Sequence, residues 1–202
     1  MTDAIVLIGP TGSGKTPLGQ MLEAEGLGSR KCLHLDFGHL LRRAAAGDGP
    51  NTLTDRDMAF IRKVLHAGAL LENEHFPIAG KLLAGAIGPG RLGENDLVVL
   101  NGLPRHVGQA RDLDILFDVT VVVDLVCSGE TVRRRIGTNV GGDRAARMDD
   151  DERAVGSRLA LFARRTRPLV EHYRRAGARI MTLHVDATTT AEDLWQTLNH
   201  NL

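Results

Sequence analysis

A chain of 202 residues is long enough to bury a substantial core and is most simply one domain, 1–202. Hydrophobic residues make up 43% and charged residues 25%, as in ordinary globular proteins, but aromatics reach only 3%, so the core has to rest on Leu, Val, Ile and Ala. Twenty-five basic residues balance twenty-five acidic ones; this neutral total argues against a nucleic-acid or membrane partner, although local basic clusters can still hold phosphate.

The first residues, Met1-Thr2-Asp3-Ala4, place no basic segment ahead of a short apolar run, so this end does not read as a signal peptide. No apolar stretch reaches the roughly 18 residues of a membrane span, and the chain reads as cytoplasmic. Strands are expected at 4–9, 32–36, 96–102, 119–126 and 180–186, several of them apolar on successive residues, as suits strands covered on both faces. Between them lie helical patterns at 15–25, 37–47, 54–67, 73–87, 106–116, 128–137, 150–176 and 190–200. Thr54 followed by Asp57 resembles a capping box with Asp in place of Glu or Gln. Strand–helix alternation implies an α/β fold with a parallel sheet and right-handed crossovers. The helices across 37–87 exceed what a crossover needs and are expected to form a small helical subdomain. The stretch 137–147, rich in Gly and Arg, is irregular. Cys32 and Cys127 lie in or beside apolar runs and read as buried reduced thiols.

Gly9-Pro10-Thr11-Gly12-Ser13-Gly14-Lys15-Thr16 fits the eight-position P-loop pattern, between an apolar run and a helix. Glycines let backbone N–H groups turn inward around phosphates, Lys15 adds a mobile positive charge, and Thr16 offers a hydroxyl to a magnesium ion. The helix that follows points its positive end at the anion. The expected donor is ATP with Mg²⁺.

Downstream, Asn101-Gly102-Leu103-Pro104-Arg105, with Gln109 four residues later, resembles the Asp-Gly-Phe-Pro-Arg…Gln segment of adenylate kinases. His34-Leu35-Asp36-Phe37-Gly38-His39-Leu40-Leu41-Arg42 resembles that family's Ser-Thr-Gly-Asp-x-Leu-Arg segment, and Arg147-Met148-Asp149-Asp150 with Arg158 resembles its Arg-x-Asp-Asp…Arg arrangement. The order and spacing run from Ile5 to about Asp186. The resemblance implies a P-loop nucleoside monophosphate kinase with sheet order 2-3-1-4-5, an acceptor-binding helical subdomain at 37–87 and a short lid at 137–147. It implies a monomer taking ATP and a nucleoside monophosphate, AMP first. By position, Arg42 and Arg105 would hold the acceptor phosphate, and Gln109 would bond the acceptor base. Gly38 would allow close approach of the nucleotide, Gly102 would join the acceptor-binding residues, Arg135 would lie near the donor, and Arg147 and Arg158 would join Lys15 on the transferring phosphates. Arginine suits such work because it stays protonated and grips phosphate bidentately.

Four positions depart from the family pattern. Asn101 replaces the usual Asp whose carboxylate supports magnesium through its waters, and Asp36 is a candidate to compensate. Phe37 can stack on a base, narrow the pocket, or pack against the subdomain. Pro17 follows Thr16 in the loop, and Thr138 stands where many relatives carry a lid arginine. The eight histidines show no metal-ligand pattern, with His39 and His106 notable only by position. A small-molecule kinase of the shikimate or gluconate type, using Asp36, and a nucleotide sensor without efficient turnover both remain open on the sequence.

Overall fold

The computed structural model describes residues 1–143 and 152–202. Strands β1 (Thr2–Ile8), β2 (Cys32–Asp36), β3 (Leu97–Asn101), β4 (Phe117–Val126) and β5 (Arg179–His184) form one parallel sheet in the order β2-β3-β1-β4-β5. The central strands are apolar on both faces because both faces are covered. Ala4, Val6 and Ile8 of β1 enter one core cluster, and Ile5 and Leu7 enter the other. Helices α1 (Lys15–Glu25) and α9 (Ala191–Asn201) pack on the second face through Leu18, Leu22, Leu194 and Leu198. The first face takes α2 (Phe37–Ala45), α3 (Asp55–Ala67), α4 (Phe76–Ile87) and α5 (Val107–Leu113), and, beyond α6 (Gly129–Thr138) and α7 (Glu152–Leu161), α8 (Leu169–Arg175).

Between β2 and β3 the chain runs through α2, α3, a 3₁₀ turn at Asn73–His75 and α4. These helices pack against one another, and Leu41, Ile61, Leu82 and Leu83 join the same core as the sheet. The capping box at the start of α3 is present: Thr54 Oγ1 accepts from Asp57 N at 3.2 Å, and Thr54 N donates to Asp57 Oδ2 at 3.0 Å. Lys81 of α4 adds an ammonium 2.7 Å from the same carboxylate. An unforeseen second box, Thr190 with Asp193, starts α9.

The long helix expected over 150–176 is not continuous. After α7 the backbone widens into a π turn at Phe162–Thr166, and α8 starts at Leu169. Arg167 N donates to Phe162 O at 2.9 Å, a five-residue step. Pro168 explains the break, since it brings no N–H to the ladder and its ring crowds the preceding turn. The pattern at 73–87 likewise begins as the 3₁₀ turn and becomes α-helical only around Pro77, which is tolerated in a first turn. Cys32 and Cys127 are both free thiols. Burial pushes the Cys32 thiol up to about 11.

Parallel strands point their C-terminal ends the same way, and ligands of open α/β sheets bind where successive connections diverge to opposite sides. Here β1 lies at the centre, with β3 on one side and β4 on the other. The loop after β1 therefore faces the segments that leave β2 and β3. Replacing Thr54 with Ala should remove the box at α3 and lower unfolding free energy by about 1 kcal/mol. Urea denaturation measures this, and an unchanged midpoint would show that Lys81 and Asp57 hold the helix start without the hydroxyl.

Candidate active site

The eight-residue loop leaves β1 and closes on the N-terminus of α1. Gly12 (φ 76°) and Gly14 (φ 95°) take left-handed backbone conformations, and Gly14 is the residue that caps α1. A Cβ at Gly9 would come within 2.5 Å of the buried Ser13 hydroxyl. Lys15 Nζ curls over the loop, donating to the carbonyls of Gly9 at 2.8 Å and Pro10 at 2.7 Å. Pro17 falls in the first turn of α1, where its missing N–H costs nothing.

One cleft of about 260 Å³ runs from this loop to the ends of β2 and β3. Gly9, Thr11, Gly12, Gly14, Lys15 and Thr16 line one end, and Asp36, Phe37, Gly38, Arg42, Gly102, Arg105, Gln109 and Arg158 line the rest. The structure thus brings nearly all the sequence-predicted residues around a single space. Arg147 lies outside the described residues, as do 144–147 of the predicted lid.

Where loop and strands meet, Thr16, Asp36 and Asn101 form a closed triangle. Thr16 Oγ1 donates to Asp36 Oδ2 at 2.7 Å, and Asn101 Nδ2 reaches that oxygen and the Thr16 hydroxyl, each at 3.0 Å. Sheet register produces the pairing, since Asp36 of β2 lies opposite Asn101 of β3. Asp36 also caps α2 by accepting from His39 N at 2.9 Å. Burial works to raise the Asp36 pKa, but the Thr16 and His39 bonds with the charges of His34 and Arg42 outweigh it, holding the carboxyl below its ordinary value. His34 is itself pushed down by burial. Hydroxyl and carboxylate oxygens at a phosphate loop form a donor set that fits a hard divalent cation.

Arg105 sits half-buried in the cleft wall, and burial together with the nearby Arg158 charge lowers its pKa. Among the described residues no carboxylate or carbonyl pairs with its guanidinium. Its backbone is held tightly instead: Arg105 N donates to Gln109 Oε1 at 2.7 Å, and Arg105 O accepts from Thr166 Oγ1 at 2.9 Å. Arg42 stands exposed at the rim, and a Cβ on Gly38 would come within 3.4 Å of its guanidinium. Gly102 (φ 81°) turns the chain beside Phe37.

No family model matches the chain. The adenylate kinase of Thermobifida fusca is 30% identical over 200 residues, covering 95% of this chain and 94% of that protein. The adenylate kinase of Synechococcus sp. CC9311 is also 30% identical, over 88% of this chain and 87% of its own length. The chain belongs to the adenylate kinase family. A third relative, the adenylate kinase of Haloarcula marismortui, is 28% identical over 95% of this chain. As a family member it is an ATP-dependent phosphotransferase, a nucleoside monophosphate kinase. Among the described residues, no helix is long and apolar enough to cross a membrane.

Three of the sequence-predicted side chains are held mainly by protein partners. Phe37 is 4% exposed and packs into the core at the edge of the cleft, the packing place among those the sequence left open. Gln109 is 1% exposed and both ends of its amide are bonded to backbone, Oε1 to Arg105 N and Nε2 to the Leu71 carbonyl at 2.8 Å. Arg135 is 3% exposed, and its guanidinium is engaged by protein: Nε donates to Gly12 O at 3.0 Å, and Nη1 to Asp186 O and Thr189 O, both at 2.7 Å. It braces the phosphate loop against the turn before α9.

Sequence reasoning missed the bonds that set these groups. Arg165 forms a two-armed ion pair with Glu72, at 3.1 and 2.8 Å, joining the π turn to the connection between α3 and α4. Arg167 pairs at 2.7 Å with Asp124, whose side chain is 2% exposed. Neither pair has a local signature, because its members lie 93 and 43 residues apart. Arg135→Ala should strand three carbonyls and lower unfolding free energy by about 3 kcal/mol. Arg135→Lys should recover less than half of that, since an ammonium cannot span both sides of the brace. Thermal and chemical denaturation check both; full recovery by lysine would mean that charge, not the fork, matters.

Proposed function

We propose that the enzyme transfers the γ-phosphate of Mg-ATP reversibly to AMP. One observation carries this reading: a single cleft has a phosphate loop at one end and, at the other, a half-buried arginine with no carboxylate partner among the described residues, beside a second arginine. Two anions brought together need that charge, and a hydroxyl acceptor would not. An ionised phosphate oxygen of the acceptor attacks the γ-phosphorus as the bond to the β-phosphate oxygen breaks, leaving ADP on both sides. No general base is required, because the attacking oxygen carries no proton to remove. Catalysis then rests on placement and charge neutralisation.

In this reading Lys15 leaves the Gly9 and Pro10 carbonyls for the β- and γ-phosphates. Arg105 and Arg42 take the acceptor phosphate, and Arg158, with Arg147, balances charge on the transferring group. Thr16 and Asp36 would hold Mg²⁺, which shields phosphate charge when bound, and Asn101 steadies both oxygens through its amide. The triangle supports a division of labour in which the carboxylate stands on β2 instead of β3. Gln109 retains one N–H and one oxygen lone pair beyond its two bonds, which suits the paired donor and acceptor on the edge of adenine. The helices across 37–87 then form the acceptor-binding subdomain and 137–147 the short lid. The monomer is the proposed active unit.

A coupled assay of ADP formation with Mg-ATP against AMP, GMP, CMP, UMP and dTMP should show strong stimulation by AMP alone. Preference for another monophosphate would reassign the base contact at Gln109, and no stimulation by any would sink the reading. Arg105→Ala should raise the acceptor KM about 100-fold, as expected for loss of a desolvated charged contact, with the ATP KM within about twofold. Asp36→Asn should raise the Mg²⁺ concentration for half-maximal rate. An unchanged magnesium dependence would remove Asp36 from the metal site.

A further inference from the structure

We infer that His106 is a positioning residue of the acceptor site, holding the Gln109 amide and the Arg105 backbone through one neutral tautomer of its ring. The inference rests on the acceptor reading above. His106 is 6% exposed and stands at the N-cap of α5, a place usually taken by Ser, Thr, Asp or Asn.

Both ring nitrogens are committed. Nδ1 accepts from the Gln109 backbone N–H at 3.3 Å, so it carries a lone pair; Nε2 lies 3.0 Å from the Leu71 carbonyl, an acceptor, so it carries the proton. The same Leu71 carbonyl also accepts from the Gln109 side-chain amide at 2.8 Å. A closed ring of bonds results: imidazole to Leu71 O, Leu71 O to the Gln109 amide, and the Gln109 backbone back to the imidazole.

That ring decides which way the amide faces. With Leu71 O fixed, Nε2 of Gln109 must turn to the carbonyl, and Oε1 is left to receive Arg105 N at 2.7 Å. Arg105 is thereby joined to the connection before α4, whose Glu72 is clamped by Arg165. A small capping side chain would satisfy the α5 N-terminus but could not reach Leu71 O. The extra reach of the imidazole ties the base-facing amide and the phosphate-facing arginine to a single carbonyl.

Two variants separate positioning from simple stability. His106→Ala loses both bonds; His106→Asn keeps the cap and loses the reach to Leu71. Expected are a rise of about tenfold in the AMP KM for both, with kcat and the ATP KM within about twofold, while the asparagine variant regains most of the lost Tm. An AMP KM unchanged in either variant, or equal rises for AMP and ATP, overturns the proposal. Hydrogen exchange of the substrate-free protein gives a second readout, with faster exchange expected over 69–73 in both variants and no change around the phosphate loop. If the wild-type protein responds to no monophosphate, the acceptor reading fails by that result, and unaltered exchange over 69–73 would separately overturn the His106 link.

Discussion

A guanidinium drawn partly out of water without a counter-ion destabilises a fold, and Arg105 is half-buried with no carboxylate partner among the described residues and the Arg158 charge nearby. The surroundings hold the backbone that carries it. Backbone N–H and C=O of Arg105 are each claimed by a buried side chain, Gln109 and Thr166. On the proposed acceptor reading, an entering anion would meet charge already in place, with little reorganisation at the moment of transfer.

The sheet supplies the opposing wall. Because β1, β3 and β2 are parallel and adjacent, their C-terminal ends deliver the phosphate loop, Asn101 and Asp36 to one edge. Adjacent registers then allow a carboxylate to shift by one strand while remaining within 3 Å of the same hydroxyl. An amide at Asn101 is compatible with this because its N–H groups solvate Asp36, which a second carboxylate would repel. Hydrogen bonds, more than nearby charge, oppose the burial that would otherwise protonate Asp36.

Rigid struts surround the cleft at both ends. Arg135 ties the phosphate loop to the turn before α9, and Arg165 ties the π turn to the connection before α4. Thr166 and Arg167 fasten the same turn to Arg105 and to Asp124 of β4. Three successive residues therefore reach three different parts of the fold. A regular helix would spread their side chains around its axis at about 100° per residue; the widened turn before Pro168 reorients that spacing. The wall that carries Arg105 is braced from outside the cleft.

The sheet order, the phosphate loop and the cleft-lining residues followed from local signals: apolar runs of strand length, glycines where φ must be positive, and short motifs at fixed offsets. Those signals are legible because the chemistry they serve is carried by neighbours in sequence. The fates of Phe37, Gln109 and Arg135 were not legible, since each depends on partners brought from afar. An arginine reads alike whether it faces phosphate or three carbonyls, and a histidine at an N-cap has no recognisable pattern. Pro168 marked the break in the last long helix, but not what the turn would join. By itself the sequence determined the fold and the reaction class, because periodicity and phosphate-binding geometry are local properties. Only the tertiary structure decided which side chains line the cleft and which brace the frame, because burial and hydrogen-bond partners arise when distant segments meet.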